Sequence, residues 1–251
     1  MSDLRGKNLI VTGAAGGIGT AVCRRLAADG ACICATDLGE QALENLSGTL
    51  GLSKDRFVTV AADITKRQQV REVVALAITS FGALHGLANI ASASTNKPLV
   101  DIRDDDMALA LNTGLWATFF FMQECYPHLR STRGSIVNFG SSAAILGQPR
   151  NGAYAASKEA IRGISRTAVN EWGQDGIRVN VVLPFALTPA MKHWAKDNPD
   201  LYKQAEMSVP LRRIGDPDQD IAPLVAWLMA DDSSYVSGQT IAADGGGVNL
   251  P

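Results

Sequence analysis

Short, uninterrupted apolar runs alternate along this chain with longer stretches in which apolar residues recur every three or four positions. The runs are of strand length and rich in Val, Ile, Leu and Ala. They predict buried β-strands at 7–12, 31–36, 56–61, 84–89, 134–140, 177–183 and 239–243. The periodic stretches predict helices at 17–29, 40–50, 66–81, 104–129, 152–173 and 217–230, whereas 187–212 carries no regular pattern. Strand and helix in alternation specify an α/β fold, a doubly wound and mostly parallel seven-stranded sheet with helices on both faces and right-handed crossovers. No linker, repeat or low-complexity tract divides the chain, so a single domain over 1–251 is expected.

Composition narrows the function classes. At 251 residues, 46% hydrophobic and 19% charged, the chain suits one compact α/β core, and a formal net charge of -2 argues against a surface for nucleic acid. Residues 1–7 hold no apolar signal core, and the uncharged stretch Met107–Gln123 is broken by Asn112, Thr113 and Gly114, so no membrane segment and a soluble cytoplasmic protein are expected. The cysteines at 23, 32, 34 and 125 lack the spacing of a redox pair or zinc knuckle, and the three histidines are scattered. No catalytic metal is expected.

The candidate chemistry lies in two motifs. After the first strand, Gly13-Ala14-Ala15-Gly16-Gly17-Ile18-Gly19 leads into a helix, which lets backbone N–H groups and the positive helix end meet a pyrophosphate without side chains in the way. The next strand ends in Asp37, where a carboxylate accepts hydrogen bonds from adenosine ribose hydroxyls; capping the following helix is its other reading. Asp37 would repel a 2′-phosphate, and neither Ala15 nor Leu38 supplies a compensating cation, so NAD rather than NADP is expected. The second motif is Tyr154 and Lys158, one helical turn apart. An ammonium beside a phenol would stabilise the phenolate, lower its pKa and make a general acid/base. In a doubly wound sheet ligands collect beyond the carboxyl ends of the strands, where Gly13, Asp37, Asn89, Ser141 and Pro184 all fall.

Taken in order, Thr12-Gly13-x-x-x-Gly17-x-Gly19, Asn112, Ser141, Tyr154, Lys158 and the closing Ala243-Asp244-Gly245-Gly246 resemble the short-chain dehydrogenase/reductase family, in its single-domain branch with a Rossmann-type fold. The resemblance implies an NAD(H)-dependent oxidoreductase that interconverts a secondary alcohol and a ketone. It implies that Tyr154 shuttles the proton, Ser141 hydrogen-bonds the reacting oxygen, and Lys158 both tunes Tyr154 and holds the nicotinamide ribose. It further implies that Asn112 holds a helix distortion and a water leading from Lys158 to solvent. Ser142 competes with Ser141; Ser141 is preferred because it stands 13 residues before Tyr154 and directly after the strand. Cofactor contacts are implied at Gly13, Gly16, Gly17, Ile18, Gly19, Asp37, Asp63, Ile64, Asn89, Pro184, Leu187 and Thr188. Asp63 matches the position that meets the adenine amino group, with a cap on helix 66–81 as its alternative.

Two places depart from the family pattern. Ala88-Asn89-Ile90-Ala91 stands where Asn-Asn-Ala-Gly is common, which removes an asparagine that ties neighbouring strands and a glycine that admits the cofactor closely. Phe185 follows Pro184 where glycine is usual, and would form an apolar wall for a hydrophobic or aryl substrate together with Ala143, Met191 and Trp194 of the lid expected over 187–212. The 104–129 helix is apolar nearly all round, so its outer face needs a cover, and the resemblance implies a homotetramer or homodimer. The alternatives are a 3-oxoacyl-thioester reductase and a non-catalytic NAD-binding sensor. An enoyl reductase would need a wider tyrosine-to-lysine spacing.

Overall fold

Each of the seven apolar runs forms a strand in the computed structural model, which describes residues 2–248; Met1 and residues 249–251, the ends of the expected domain, lie outside the described residues. The chain runs β1 (Asn8–Thr12), α1 (Gly17–Ala28), β2 (Cys32–Asp37), α2 (Glu40–Leu50), β3 (Phe57–Ala61), α3 (Arg67–Phe81) and β4 (Gly86–Asn89). It continues through α4 (Asp104–Ala110), α5 (Ala117–Thr132), β5 (Ser135–Phe139), α6 (Ser142–Ile145), α7 (Gly152–Trp172) and β6 (Arg178–Pro184). Last come α8 (Pro189–Asp197), α9 (Pro199–Ser208), α10 (Ala222–Met229) and β7 (Thr240–Ala243). The sheet order is β3-β2-β1-β4-β5-β6-β7, and every neighbouring pair is parallel rather than only most of them. Strand order reverses between β1 and β4, which opens a crevice above their carboxyl ends.

Alternation along β1 divides the core in two. Leu9 and Val11 pack with Val22, Leu26 and Val225 on the face covered by α1 and α10, while Ile10 packs with Val70, Val73 and Phe121 on the face covered by α3 and α5. One polar chain crosses this apolar interior. Asn89 Nδ2 donates to Asn138 Oδ1 at 2.8 Å, Asn138 Nδ2 donates to Ser165 Oγ at 2.8 Å, and Ser165 Oγ donates to the Ile161 carbonyl at 2.7 Å. It links β4, β5 and α7.

Three helical expectations need correction. The 104–129 helix is interrupted by a π-helical segment, Leu111–Trp116, between α4 and α5. The 217–230 helix likewise opens with a π-helical stretch, Pro217–Ile221. The segment 187–212, expected to be irregular, holds α8 and α9. Thr188 caps α8, its Oγ1 accepting the Met191 N–H at 3.3 Å, and Pro189 and Pro199 supply a pre-set φ at the two helix starts. Among the described residues no helix is long and apolar enough to cross a membrane.

Candidate active site

The glycine turn enters α1 with Gly16 at the N-cap and no side chain on the helix end, which leaves first-turn N–H groups open to an anion. Two glycines are dictated by close approach. Gly13 has φ 66°, and a Cβ there would stand 2.9 Å from the Ala91 backbone; a Cβ on Gly19 would stand 2.0 Å from the Gly13 carbonyl oxygen. The turn borders a cavity of about 690 Å³ that runs from Asp37, Asp63 and Ile64 past Gly16, Gly17 and Ile18 to Ser92, Thr113 and Thr188. No lysine or arginine lines it.

Asp37 is fixed rather than free. Its Oδ2 accepts the Ala15 N–H at 3.0 Å and its Oδ1 the Leu38 N–H at 2.8 Å, so it braces the glycine turn and caps no helix, α2 starting from Gly39. Asp63 serves in two ways, lining the cavity while its Oδ1 accepts both the N–H and the hydroxyl of Thr65. The Thr65 hydroxyl bond holds the Asp63 carboxyl below its ordinary range.

Past the carboxyl end of β5, and outside the lining of that cavity, Lys158 is 3% exposed, its Nζ donating to the Phe139 carbonyl at 3.0 Å and lying 5.6 Å from the centre of the Tyr154 ring. Ser141 is buried at the start of α6, its Oγ accepting the Ala143 N–H at 3.2 Å, and its hydroxyl stands near enough to the Tyr154 phenol to favour the phenolate. The electrostatics differ from the expectation drawn from spacing. Burial raises the Tyr154 phenol above its ordinary value, with the Ser141 hydroxyl pulling the other way. Burial also lowers the Lys158 ammonium to about 8. A helical spacing of four fixes which side chains are neighbours but not how dry they are, and desolvation is the larger effect here.

Ser142 is already engaged, donating to Asp244 Oδ2 at 2.6 Å, which separates it from its neighbour Ser141. Asn112 lies within the π-helical segment with its side chain exposed. It is Thr113 that reaches the crevice, accepting the Ala93 N–H at 2.9 Å and donating to the Leu109 carbonyl at 2.7 Å. Asn89 closes β4 just before the cavity lining. Its side chain is buried and bonded to Asn138, while Ile90, Ala91 and Ser92 line the cavity; the strand tie thought lost is made by Asn89 itself. Thr188 and Pro189 stand over Gly17, whereas Pro184, Phe185 and Leu187 are half-buried behind them. Ala143 and Met191 are half-buried and Trp194 is 37% exposed.

Sequence reasoning overlooked two hydroxyls. Thr12 Oγ1 accepts the N–H groups of Ile90 and Ala91 at 3.1 and 3.2 Å and so holds the β4 exit over Gly13. A hydroxyl closing a buried strand just before a glycine turn was its only signal. Thr113 had none, because the π-helical segment shifts the face it presents.

The family model described as enoyl-(acyl carrier protein) reductase matches residues 13–247. A solved short-chain dehydrogenase/reductase from Brucella melitensis, described as a glucose/ribitol dehydrogenase, superposes with a TM-score of 0.93 at 30% identity over 99% of each chain. The chain belongs to the short-chain dehydrogenase/reductase family. A 12alpha-hydroxysteroid dehydrogenase of Clostridium sp. is 38% identical across 98% of each chain. A 2,5-dichloro-2,5-cyclohexadiene-1,4-diol dehydrogenase of Sphingobium indicum is 34% identical across 98% of each. As a short-chain dehydrogenase/reductase it is an oxidoreductase with a nicotinamide cofactor, NAD or NADP, and a small-molecule substrate. The crevice fits such a cofactor through its uncapped helix end and its side-chain-free glycine floor.

Proposed function

We propose that this short-chain dehydrogenase/reductase uses NAD(H) and interconverts a hydrophobic, ring-borne secondary alcohol and its ketone, with Tyr154 as general acid/base. The observation that carries this is the phenol of Tyr154 beside Ser141, with the Lys158 ammonium buried 5.6 Å from the centre of the Tyr154 ring, past the carboxyl end of β5, which neighbours the strand bordering the glycine-floored crevice. When bound, the nicotinamide accepts or supplies the hydride. Tyr154 takes the carbinol proton in oxidation and returns it to the developing alkoxide in reduction, and Ser141 steadies the same oxygen. Lys158 offers positive charge to the phenolate and N–H donors to the ribose. Asn112, in the π-helical turn, would hold the water that leads from Lys158 to solvent.

Two carboxylates, Asp37 and Asp63, and no cation in the lining favour the unphosphorylated ribose of NAD over NADP. Gly13, Gly16, Gly17, Ile18 and Gly19 would seat the pyrophosphate, Ile64 the adenine, and Pro184, Leu187 and Thr188 the carboxamide. A ring substrate is supported by the two relatives, whose names specify a hydroxysteroid and a cyclohexadiene diol, and by the apolar walls available from Ala143, Phe185, Met191 and Trp194. Segment 187–212 would be the lid. The outer face of α4–α5, with Leu109 38% and Trp116 44% exposed, supports pairing with further copies as a homodimer or homotetramer. Four unpaired cysteines suit the reducing cytoplasm.

The test is nicotinamide absorbance with NAD and NADP in parallel over a panel of steroid, cyclohexanol, aryl and acyl-thioester substrates. Turnover of ring carbinols with NAD, abolished in Tyr154→Phe while calorimetric NAD binding persists, is the expected result. Preference for the thioesters would make the protein a 3-oxoacyl reductase, and NAD binding with no turnover on any substrate would make it a sensor.

A further inference from the structure

We infer that Asp244 is a positioning residue, whose carboxylate clamps Ser142 and thereby sets where the adjoining Ser141 presents its hydroxyl to Tyr154. This rests on the assignment of proton chemistry to Tyr154 and Ser141. Asp244 follows β7, is 3% exposed, and has no ion-pair partner among the described residues. A buried carboxylate without a counter-charge needs donors, and four converge on it. Gly246 and Gly247 give their N–H groups to Oδ1 at 3.1 and 3.0 Å, and Val248 N–H and the Ser142 hydroxyl go to Oδ2 at 3.0 and 2.6 Å. Only the last leaves the turn.

That 2.6 Å bond has the length of a charge-assisted O–H···O⁻ contact, and it uses the only proton Ser142 has. Ser142 therefore cannot donate to a substrate oxygen, and Ser141 is the donor that remains. The clamp has a second grip, since Val248 packs with Val181, Leu183 and Ile145 at the far end of α6. It also has a second load. The Leu211 N–H donates to the Gly245 carbonyl at 3.2 Å, and a Cβ on Gly245 would stand 2.5 Å from Val209 Cγ1, so the end of the α8–α9 segment rests on the same turn. One turn thus fixes the serine loop and the rear of the lid together.

The test uses full-length protein and the variants Ser142→Ala and Ser142→Thr. Without cofactor, the ring ζ-carbon NMR resonance of Tyr154, assigned by its loss in Tyr154→Phe, reads the hydrogen bond at the phenol. Ser142→Ala should move that resonance and leave the other three tyrosines in place. With NAD and a carbinol it should lower kcat on the order of tenfold while KM for NAD changes less than about twofold, the cost of misplacing one donor. The kcat–pH limb should move to higher pH, because a displaced Ser141 hydroxyl no longer pulls the phenol down. Ser142→Thr should restore all three. An unmoved resonance in Ser142→Ala, or a fall in kcat, NAD affinity and Tm together that Thr does not rescue, overturns the inference. If the wild type turns over no carbinol, the proposed function fails while the resonance still reports on the clamp.

Discussion

Helix α1 buries Gly19, Ala21, Val22, Cys23, Leu26 and Ala27 against the sheet, whereas α9 buries none of its ten residues and leaves Leu201 and Met207 about half exposed, at 51% and 53%. The first turn of α1 borders the crevice, and Thr188 and Pro189, which lead into α8 and then α9, close it from the other side. At the glycine turn the core lies behind and main chain in front, so a single methyl group on Gly13 or Gly19 collides with main chain. In α8 and α9 no described apolar residue is fully buried, and changing them costs the fold little. On the proposed assignment, cofactor and substrate are thus recognised by residues of unlike stability, which lets one vary without the other.

Gly19→Ala should break this contrast most severely. With a methyl placed 2.0 Å from a carbonyl oxygen the turn must open, and NAD affinity measured by calorimetry should fall by roughly a hundredfold, as overpacking of a few kcal/mol requires. Lys158→Met probes the seam between the regions. Burial lowers the lysine from 10.5 to about 8, so the unfolded chain binds more protons across that window and wild-type stability rises with pH from about 8 to 10.5. At pH 7 Lys158→Met should be inactive yet more stable, by on the order of 2–3 kcal/mol less the lost bond to Phe139. That advantage should vanish as pH climbs through the window, as melting curves at several pH values will show. Asp37→Ala should weaken NAD by about tenfold, the worth of a charged hydrogen bond, and narrow the gap to NADP in parallel titrations. Trp194→Ala should leave Tm nearly unchanged, within about 0.5 kcal/mol, while KM for the alcohol rises. A large loss of stability there would show that the lid is part of the core after all.

The sheet was legible because its strands are buried on both faces and read as plain apolar runs; boundaries differ by a residue or two at most strand ends. The glycine turn and the Tyr154–Lys158 pair were legible because each depends on contiguous sequence. Helices α8 and α9 were not, since both are short and rich in polar residues, and only Thr188-Pro189 and Asn198-Pro199 marked their starts. The π-helical insertion at Pro217–Ile221 escaped because an extra residue in a turn leaves composition untouched, whereas the one at Leu111–Trp116 was foreshadowed only by the family resemblance at Asn112. The direction of the Tyr154 shift was missed for a different reason: desolvation is a property of distant segments closing over the pair. The turn of the Asn89 amide toward Asn138 was not legible, because register against β5, not neighbours in sequence, decides it.

The hydrogen-bonded trio of Asn89, Asn138 and Ser165 makes α7 indexable, like a notched shaft. An all-hydrocarbon seam between that helix and the strands would tolerate sliding by one ridge, carrying Tyr154 a full helical step along the crevice at modest expense. With amides in the seam, every slipped setting strands a polar group in oil, so only one axial setting survives. Drift at these three sites must therefore be concerted, and an isolated swap at any one of them would loosen the alignment of Tyr154 before it harmed the fold.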